Sequence, residues 1–126
     1  MKDFFKNNAI DIAVIKKVEA EMNISFPTSY INFLCQSNGG EVNDENNRYI
    51  YIWRCEDIPQ YNKDYDVCRY LSKDIIAFGM EGDYGYFMDF RFSDEPKIVS
   101  CEFGDLDIAE VKQESDSFEE FIKTWV

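Results

Sequence analysis

The chain has 126 residues, a length that suits one ordinary domain with its own buried core. Hydrophobic residues make up 45% of it and aromatic residues 17%, a composition that excludes disorder over most of its length. Its net charge is −12 with no histidine, which excludes histidine-based catalytic triads and zinc centres and disfavours direct binding to nucleic acids or anionic membranes.

Four cysteines, none in C-x-x-C spacing, lie inside or beside apolar runs: Cys35, Cys55, Cys68 and Cys101. We expect them to be small buried hydrophobic residues, with a four-cysteine zinc site as the disfavoured alternative. The first residues lack the apolar stretch of a secretion signal, and no segment approaches the roughly twenty apolar residues of a membrane span. These features predict a cytoplasmic protein with reduced thiols and without a metal or other cofactor.

Apolar side chains at helical spacing predict a first helix from about Ala9 to Met22. Asn8 is the expected N-cap, and Asp11 would place negative charge in the first turn, where it suits the helix dipole. Asn23 is expected to end the helix. The side chains expected to face the core are Ile12, Ile15, Val18 and Met22.

A second helix is predicted after the extended link that Pro27 imposes on the residue before it. Thr28 or Ser29 would cap this helix, and Asn38-Gly39-Gly40 would end it because glycine adopts the left-handed conformation at little cost. Residues 41–47 are polar and are expected to form a loop or a hairpin tip. The helical row expected to face the core is Tyr30, Phe33, Leu34 and Ser37.

Segments rich in aromatic and β-branched residues predict strands at 49–53, 74–79, 86–90 and 97–101. The last three are joined by short turns, which favours an antiparallel meander. Residues 55–73 give little pattern beyond a short helix around Val67, Tyr70 and Leu71. Residues 108–111 fit either a further short strand or an irregular arm.

The strongest helix signal lies near the C-terminal end, where Ser117 and Glu120 match a capping box. The apolar stripe that follows is Phe118, Phe121, Ile122 and Trp125. Two N-terminal helices, a run of strands and a closing helix predict a single α+β domain over residues 1–126.

Four segments, taken in order, resemble the SMI1/KNR4 family of the SUKH superfamily. They are residues 24–34 with Asn38-Gly39-Gly40, residues 76–79 with 85–89, residues 96–99, and Ser117-Phe118-x-x-Phe121. Phe26 stands where the family more often has leucine, and residues 54–73 match nothing in its pattern. The resemblance implies that ten residues maintain the fold: Pro27, Tyr30, Asn38, Gly39, Gly40, Gly79, Gly85, Asp89, Phe118 and Phe121.

The resemblance implies a mixed, mostly antiparallel sheet packed with N-terminal helices and a C-terminal helix. It also implies a non-catalytic protein-binding role. Bacterial members commonly act as immunity proteins that bind and silence toxin domains, often nucleases, whereas eukaryotic relatives resemble regulatory scaffolds tied to cell-wall synthesis. An enzyme is the disfavoured alternative, since a hydrolase without histidine would need paired carboxylates or a cysteine nucleophile.

Negative charge is concentrated in residues 64–126, which contain sixteen acidic and six basic side chains against nine and seven in residues 1–63. This distribution fits a solvated face. It also fits a docking surface for a basic toxin domain, which an acidic inhibitor would reach by electrostatic steering. The residues predicted to form that surface are Glu81, Asp83, Tyr84, Asp105 and Asp107.

Aromatic side chains that prove to be exposed are expected to anchor a partner, because buried aromatic anchors dominate the energetics of many interfaces. The candidates besides Tyr84 are Tyr49, Tyr51, Trp53, Tyr61, Tyr65 and Tyr86, of which Trp53 is expected to be core. Asp89 is interpreted as a structural carboxylate that caps a turn or pairs with Arg91, in preference to a metal ligand. The expected state is a monomer, or a weak homodimer formed through an exposed edge strand.

Overall fold

The computed structural model describes residues 3–125 and builds them around one seven-stranded sheet. The strands pair in chain order, and every pairing between described residues is antiparallel. This agrees with the mostly antiparallel sheet that was expected, without the parallel pairing of a mixed one in the part of the chain described. The strands are β1 (Asp3–Lys6), β2 (Gly40–Asn43), β3 (Tyr49–Ile52), β4 (Ile75–Glu81), β5 (Tyr84–Asp89), β6 (Lys97–Glu102) and β7 (Lys112–Ser115). The α-helices are α1 (Ile12–Met22), α2 (Thr28–Leu34), α3 (Ile58–Asp64), α4 (Val67–Tyr70) and α5 (Phe118–Trp125). Short 3₁₀ helices span Cys55–Asp57, Phe103–Asp105 and Ile108–Glu110.

Both faces of the sheet carry a hydrophobic core, because successive residues of a strand point to opposite sides. On the first face, α1, α2 and α5 pack against side chains that include Phe78 and Met88. On the second face, the α3–α4 segment packs against Trp53, Ala77 and Phe87. The predicted α+β class and the predicted β4–β5–β6 meander are therefore confirmed. Because β4, β5 and β6 are buried on both sides, their sequences are nearly continuous runs of apolar residues.

The first helix begins three residues later than predicted. Asp11 is its N-cap, and the Asp11 carboxylate accepts a hydrogen bond of 2.9 Å from the backbone N–H of Ala13. Asn8 is not the cap because its carbonyl accepts from the N–H of Asn38 at 2.9 Å, which ties it to another segment. Ile12 is 53% exposed, so its predicted place in the core is wrong. Asn23 ends the helix in the left-handed conformation, as predicted.

The Asn38-Gly39-Gly40 segment does not end the second helix. Helix α2 follows Pro27 and ends at Leu34, and no side chain of the described residues caps its start. Gly40 is the first residue of β2. The hairpin tip, which had been expected from residue 41, begins at Asp44. The Asn38 side chain instead links two segments of the chain. Its amide oxygen accepts from the Cys55 N–H at 2.8 Å, and its amide nitrogen donates to Glu56 at 2.7 Å.

Residues 55–73, which gave little sequence pattern, form a 3₁₀ turn and the helices α3 and α4. Asn62 of α3 is 8% exposed, and its amide oxygen accepts from the Ala77 N–H at 2.8 Å. Its amide nitrogen donates to the Ala77 carbonyl at 2.9 Å. Asn62 thus supplies β4 with the pair of hydrogen bonds that a neighbouring strand would otherwise make.

Replacement of Asn62 by alanine is expected to destabilise the protein by about 2–3 kcal/mol, because it leaves buried backbone groups of Ala77 without partners. Thermal unfolding should show a midpoint lower by roughly 10 °C. The matched control is Lys63→Ala on the same helix, where the side chain is exposed and a change within about 0.5 kcal/mol is expected. Equal stability of the two variants would contradict the role assigned to Asn62.

The C-terminal helix matches its prediction closely. The Ser117 hydroxyl accepts from the N–H of Glu120 at 3.2 Å, and Phe118, Phe121 and Trp125 are buried. Residues 108–111 were expected to form either a further short strand or an irregular arm. They contain a 3₁₀ turn at Ile108–Glu110, and the last strand, β7, follows this turn. Within the described residues, no helix has the length and apolar character needed to cross a membrane.

Candidate functional site

Exposed carboxylates gather at one end of the sheet, where the β4–β5 turn meets the β6–β7 connection. The carbonyl of Asp83 accepts from the Phe103 N–H at 2.9 Å, and Tyr84 lies opposite Glu102 in the strand register. The Cys101 thiol donates to the carbonyls of Asp105 and Asp107 at 3.8 and 3.9 Å, which holds that connection against β6. We call this surface the acidic edge; its residues are Asp83, Tyr84, Glu102, Asp105, Asp107 and Glu110.

The acidic edge brings together four of the five predicted docking residues. Tyr84, the first residue of β5, is 53% exposed and so meets the condition of exposure set for an aromatic anchor. Asp107 uses one carboxylate oxygen to accept from the N–H of Ala109 at 2.9 Å. Over residues 3–125, no lysine or arginine forms an ion pair with any carboxylate of the edge, so its negative charge is uncompensated locally.

Glu81 differs from the other four because its carboxylate is already bonded. Arg48 donates two hydrogen bonds to it, at 2.9 and 2.8 Å, and the Tyr86 hydroxyl donates a third at 2.7 Å. The Arg48 guanidinium also lies 4.5 Å from the ring centroid of Trp125, so the group joins the β2–β3 hairpin, β4 and α5. Glu81 therefore stabilises the first face and is not a free charge.

The ion pair of Glu81 has a testable pH dependence. The hydrogen bonds from Arg48 lower the pKa of Glu81 below its usual 4.5, against the opposing effect of burial. A pKa lowered by folding contributes stability above pH 4.5 that is lost as the pH falls through the folded-state pKa. At pH 7 we expect Glu81→Gln to be about 1 kcal/mol less stable than the original chain.

Urea unfolding between pH 3 and 7 would measure this effect, and the difference should shrink as the pH falls through the folded-state pKa of Glu81. The control is Glu119→Gln, since the Glu119–Lys123 pair is exposed on both sides and should contribute almost nothing at any pH. A Glu81→Gln difference of constant size over the whole range would contradict the assignment.

Asp89 pairs with Arg91, one of the two structural roles expected for it. It is 5% exposed and accepts from the Arg91 guanidinium at 2.9 and 2.8 Å and from the Arg91 N–H at 3.0 Å. Burial raises its pKa, but the hydrogen bonds and charge of Arg91 outweigh burial and lower it overall. Glu81 and Asp89 are thus both committed to arginine partners, and the described residues contain no group of side chains suited to hold a metal ion.

The predicted aromatic anchors divide between core and surface. Trp53 is 1% exposed; on the second face its ring stacks with Tyr65 and contacts Tyr61 at a tilted angle. Tyr86 is 4% exposed. Tyr49 is 41% exposed. The cysteine prediction is half wrong: Cys55 and Cys101 are buried, but Cys35 at the C-cap of α2 and Cys68 in α4 are exposed, since neither belongs to a hydrophobic core.

One carboxylate that the sequence pattern predicted in a loop, Glu41, lies in β2 on the second face. Its strand neighbours across the sheet are Phe5 on β1 and Tyr51 on β3. The alternation of Gly40 to Asn43 is only four residues long, so its signal was too weak to indicate a strand.

Comparison with known proteins adds the family. A search of curated protein sequences finds no match to this chain. The sequence model of the SMI1 / KNR4 family (SUKH-1) matches residues 9–124, which include all five α-helices apart from the last residue of α5 and all strands except β1. The match spans nearly the whole described fold, and the chain therefore belongs to the SMI1/KNR4 family (SUKH-1).

Proposed function

We propose that the protein is a non-catalytic immunity protein that binds and neutralises a basic bacterial toxin domain of the nuclease type. Membership of the SMI1/KNR4 family supports a protein-binding role of this kind. In that role the protein would act in the cytoplasm, as a monomer or weak homodimer, without a cofactor and without contacting nucleic acid itself.

The observation that carries the proposal is the acidic edge. Five carboxylates with no basic partner in residues 3–125 stand around Tyr84, an exposed aromatic side chain at the start of β5. A nuclease presents a basic groove to the phosphates of its substrate, so an acidic surface would be attracted to the same groove. Charge would set the rate and orientation of docking, and Tyr84 would supply buried contact area.

The first experiment is a pull-down with the tagged protein from native cell lysate at low and then at high salt. We expect one basic polypeptide with a nuclease-like domain, released as the salt concentration rises. Its nuclease activity should fall in proportion to added protein and reach zero at one equivalent. Full nuclease activity in the presence of excess bound protein would exclude neutralisation of that partner.

The same experiment distinguishes a regulatory or scaffold role. That alternative predicts recovery of the cell's own proteins, such as those of cell-wall synthesis, and a growth or envelope defect after gene deletion without any toxin present. An empty pull-down, followed by failure of the protein to rescue cells that express candidate basic nuclease domains, would count against the immunity role.

A further inference from the structure

An uncovered aromatic area lies on the second face of the sheet, across β1, β2 and β3. Helices α3 and α4 cover the part of this face formed by β4, β5 and β6, but they leave Phe5 54% exposed and Tyr49 41% exposed. The strand register places Glu41 directly between Phe5 and Tyr51. Directly opposed side chains on one face have Cβ atoms about 5 Å apart, so the Glu41 carboxylate has an aromatic ring on each side.

Tyr49 adds a third ring beside the same carboxylate. It lies two residues from Tyr51 on β3 and hence on the same face, diagonal to Glu41. Burial, and after it the hydrogen bond to Glu41, raise the pKa of Tyr49 to about 12. The Tyr49 hydroxyl donates this hydrogen bond, and the Glu41 carboxylate accepts it.

Glu41 has no cationic partner within residues 3–125. No lysine or arginine there forms an ion pair with it, and Arg54, whose charge acts on the neighbouring Tyr51, is held by Asp57 at 3.2 Å. Asp3, two residues before Phe5 on β1, adds a second negative charge to this face. The area is thus apolar at its rings and negative at its centre.

At two other places in the fold, a carboxylate is found together with an aromatic ring. At each of them an arginine of the chain binds the carboxylate and contacts the ring. Arg48 is bonded through two nitrogens to Glu81 and lies 4.5 Å from the ring centroid of Trp125. Arg91 is bonded through two nitrogens to Asp89 and lies 4.8 Å from the ring centroid of Phe92. A carboxylate beside an aromatic ring is therefore an arrangement that this chain itself satisfies with a guanidinium.

We propose that Glu41, with Phe5, Tyr49 and Tyr51 around it, binds an arginine side chain of a protein partner. Arginine suits the site better than lysine because its planar guanidinium bonds a carboxylate through two nitrogens and stacks on aromatic rings. The arginine would stand on a segment with apolar neighbours, which would cover the exposed parts of Phe5 and Tyr49. The inference depends on the proposed function in one respect, namely that the partner is a protein. The site itself is separate from the acidic edge.

The test uses the full chain and three acetylated, amidated tripeptides: Val-Arg-Val, Val-Lys-Val and Val-citrulline-Val. Citrulline keeps the shape of arginine without its charge. Titration followed by two-dimensional amide NMR should shift resonances of Glu41, Phe5 and Tyr51 with the arginine peptide. We expect about fivefold weaker binding of the citrulline peptide, the upper range for an exposed ion pair, and intermediate binding of the lysine peptide.

Variants separate this site from the general acidity of the chain. Glu41→Gln should weaken the arginine peptide about fivefold, and Tyr49→Leu should weaken it about threefold. The control, Glu110→Gln, removes an exposed charge from the acidic edge and should leave the affinity within about twofold.

Three results would overturn the inference. One is equal binding of the arginine and citrulline peptides, and another is a set of shifts centred on residues 102–110. The third is a dependence of the Phe5 and Tyr49 resonances on protein concentration without peptide, which would mean that a second copy of the chain covers this face. If the peptides fail while the pull-down recovers a salt-sensitive basic partner, the arginine site is wrong and the proposed function stands.

Discussion

Replacement of Asp83, Asp105 and Asp107 by lysine is expected to slow association with the basic partner by about 100-fold at low salt. The three carboxylates lack basic partners in the described chain, so their field acts on an approaching protein without local cancellation. Reversal changes the local charge by six units and turns attraction into repulsion. Stopped-flow or surface plasmon resonance measurements with the captured partner would give the rate, and nuclease assays would show the loss of neutralisation.

The matched control reverses three exposed acids elsewhere: Glu21, Asp94 and Glu95. Asp94 and Glu95 lie between β5 and β6, at the opposite end of the sheet from the β4–β5 turn. This variant has the same net charge as the first, so an equal loss of rate in both would show that only total charge matters. Thermal unfolding of both variants checks that the fold is retained.

Gly39→Ala is expected to destabilise the fold by about 3–4 kcal/mol, a larger loss than we expect from Asn62→Ala or Glu81→Gln. Gly39 has φ of +78°, and a Cβ atom there would clash with the Ile52 carbonyl oxygen and lie 2.6 Å from that of Trp53. Both oxygens belong to the backbone and cannot move independently of the chain. Equilibrium urea unfolding should show a lower midpoint with an unchanged slope.

Gly82→Ala separates the two causes of this effect. Gly82 also has positive φ, +57°, but a Cβ atom there would have no atom of residues 3–125 within 4 Å. Its replacement should cost only about 1 kcal/mol, the intrinsic cost of the left-handed conformation. Comparable losses in Gly39→Ala and Gly82→Ala would show that the close approach to residues 52 and 53 is not decisive.

The sequence correctly predicted those elements whose formation depends mainly on residues close together in the chain. Helix α5 needs only its Ser117 cap and an apolar stripe within eight residues, and both can be recognised in the sequence. The β5–β6 hairpin likewise consists of two apolar runs, joined by residues 90–96. The predictions were wrong where the local sequence favoured two structures about equally. At those places a contact with a distant segment of the chain determines which structure forms.

The N-terminus of α1 shows how such a choice is made. Asn8 and Asp11 are both good cap residues, so composition alone does not separate them. The Ile10 N–H donates to the Leu34 carbonyl at 3.4 Å, and the Asn8 carbonyl accepts from Asn38, which holds residues 8–10 as a link beside the end of α2. The helix can then begin only after Asp11, its N-cap.

The glycine pair at 39–40 was misassigned for a related reason. A glycine indicates a permissive backbone, but it does not say which element requires that freedom. Here the requirement comes from the backbone of residues 52 and 53, thirteen positions along the chain. Asn62 gave no signal at all, since its partner Ala77 is fifteen residues away and an isolated asparagine in a helix is unremarkable in a sequence.

The amino-acid sequence by itself determined the α+β class, the acidic character, the exclusion of histidine chemistry and the family resemblance, because composition, periodicity and short motifs are properties of neighbouring residues. Only the tertiary structure decided which charges are free. Glu81 and Asp83 are both acidic residues of one turn region, yet Arg48, 33 residues before Glu81, neutralises only the first. Strand register likewise placed Glu41 between two aromatic rings from other strands. Charge compensation and aromatic contact depend on distance in space, which the order of residues does not specify.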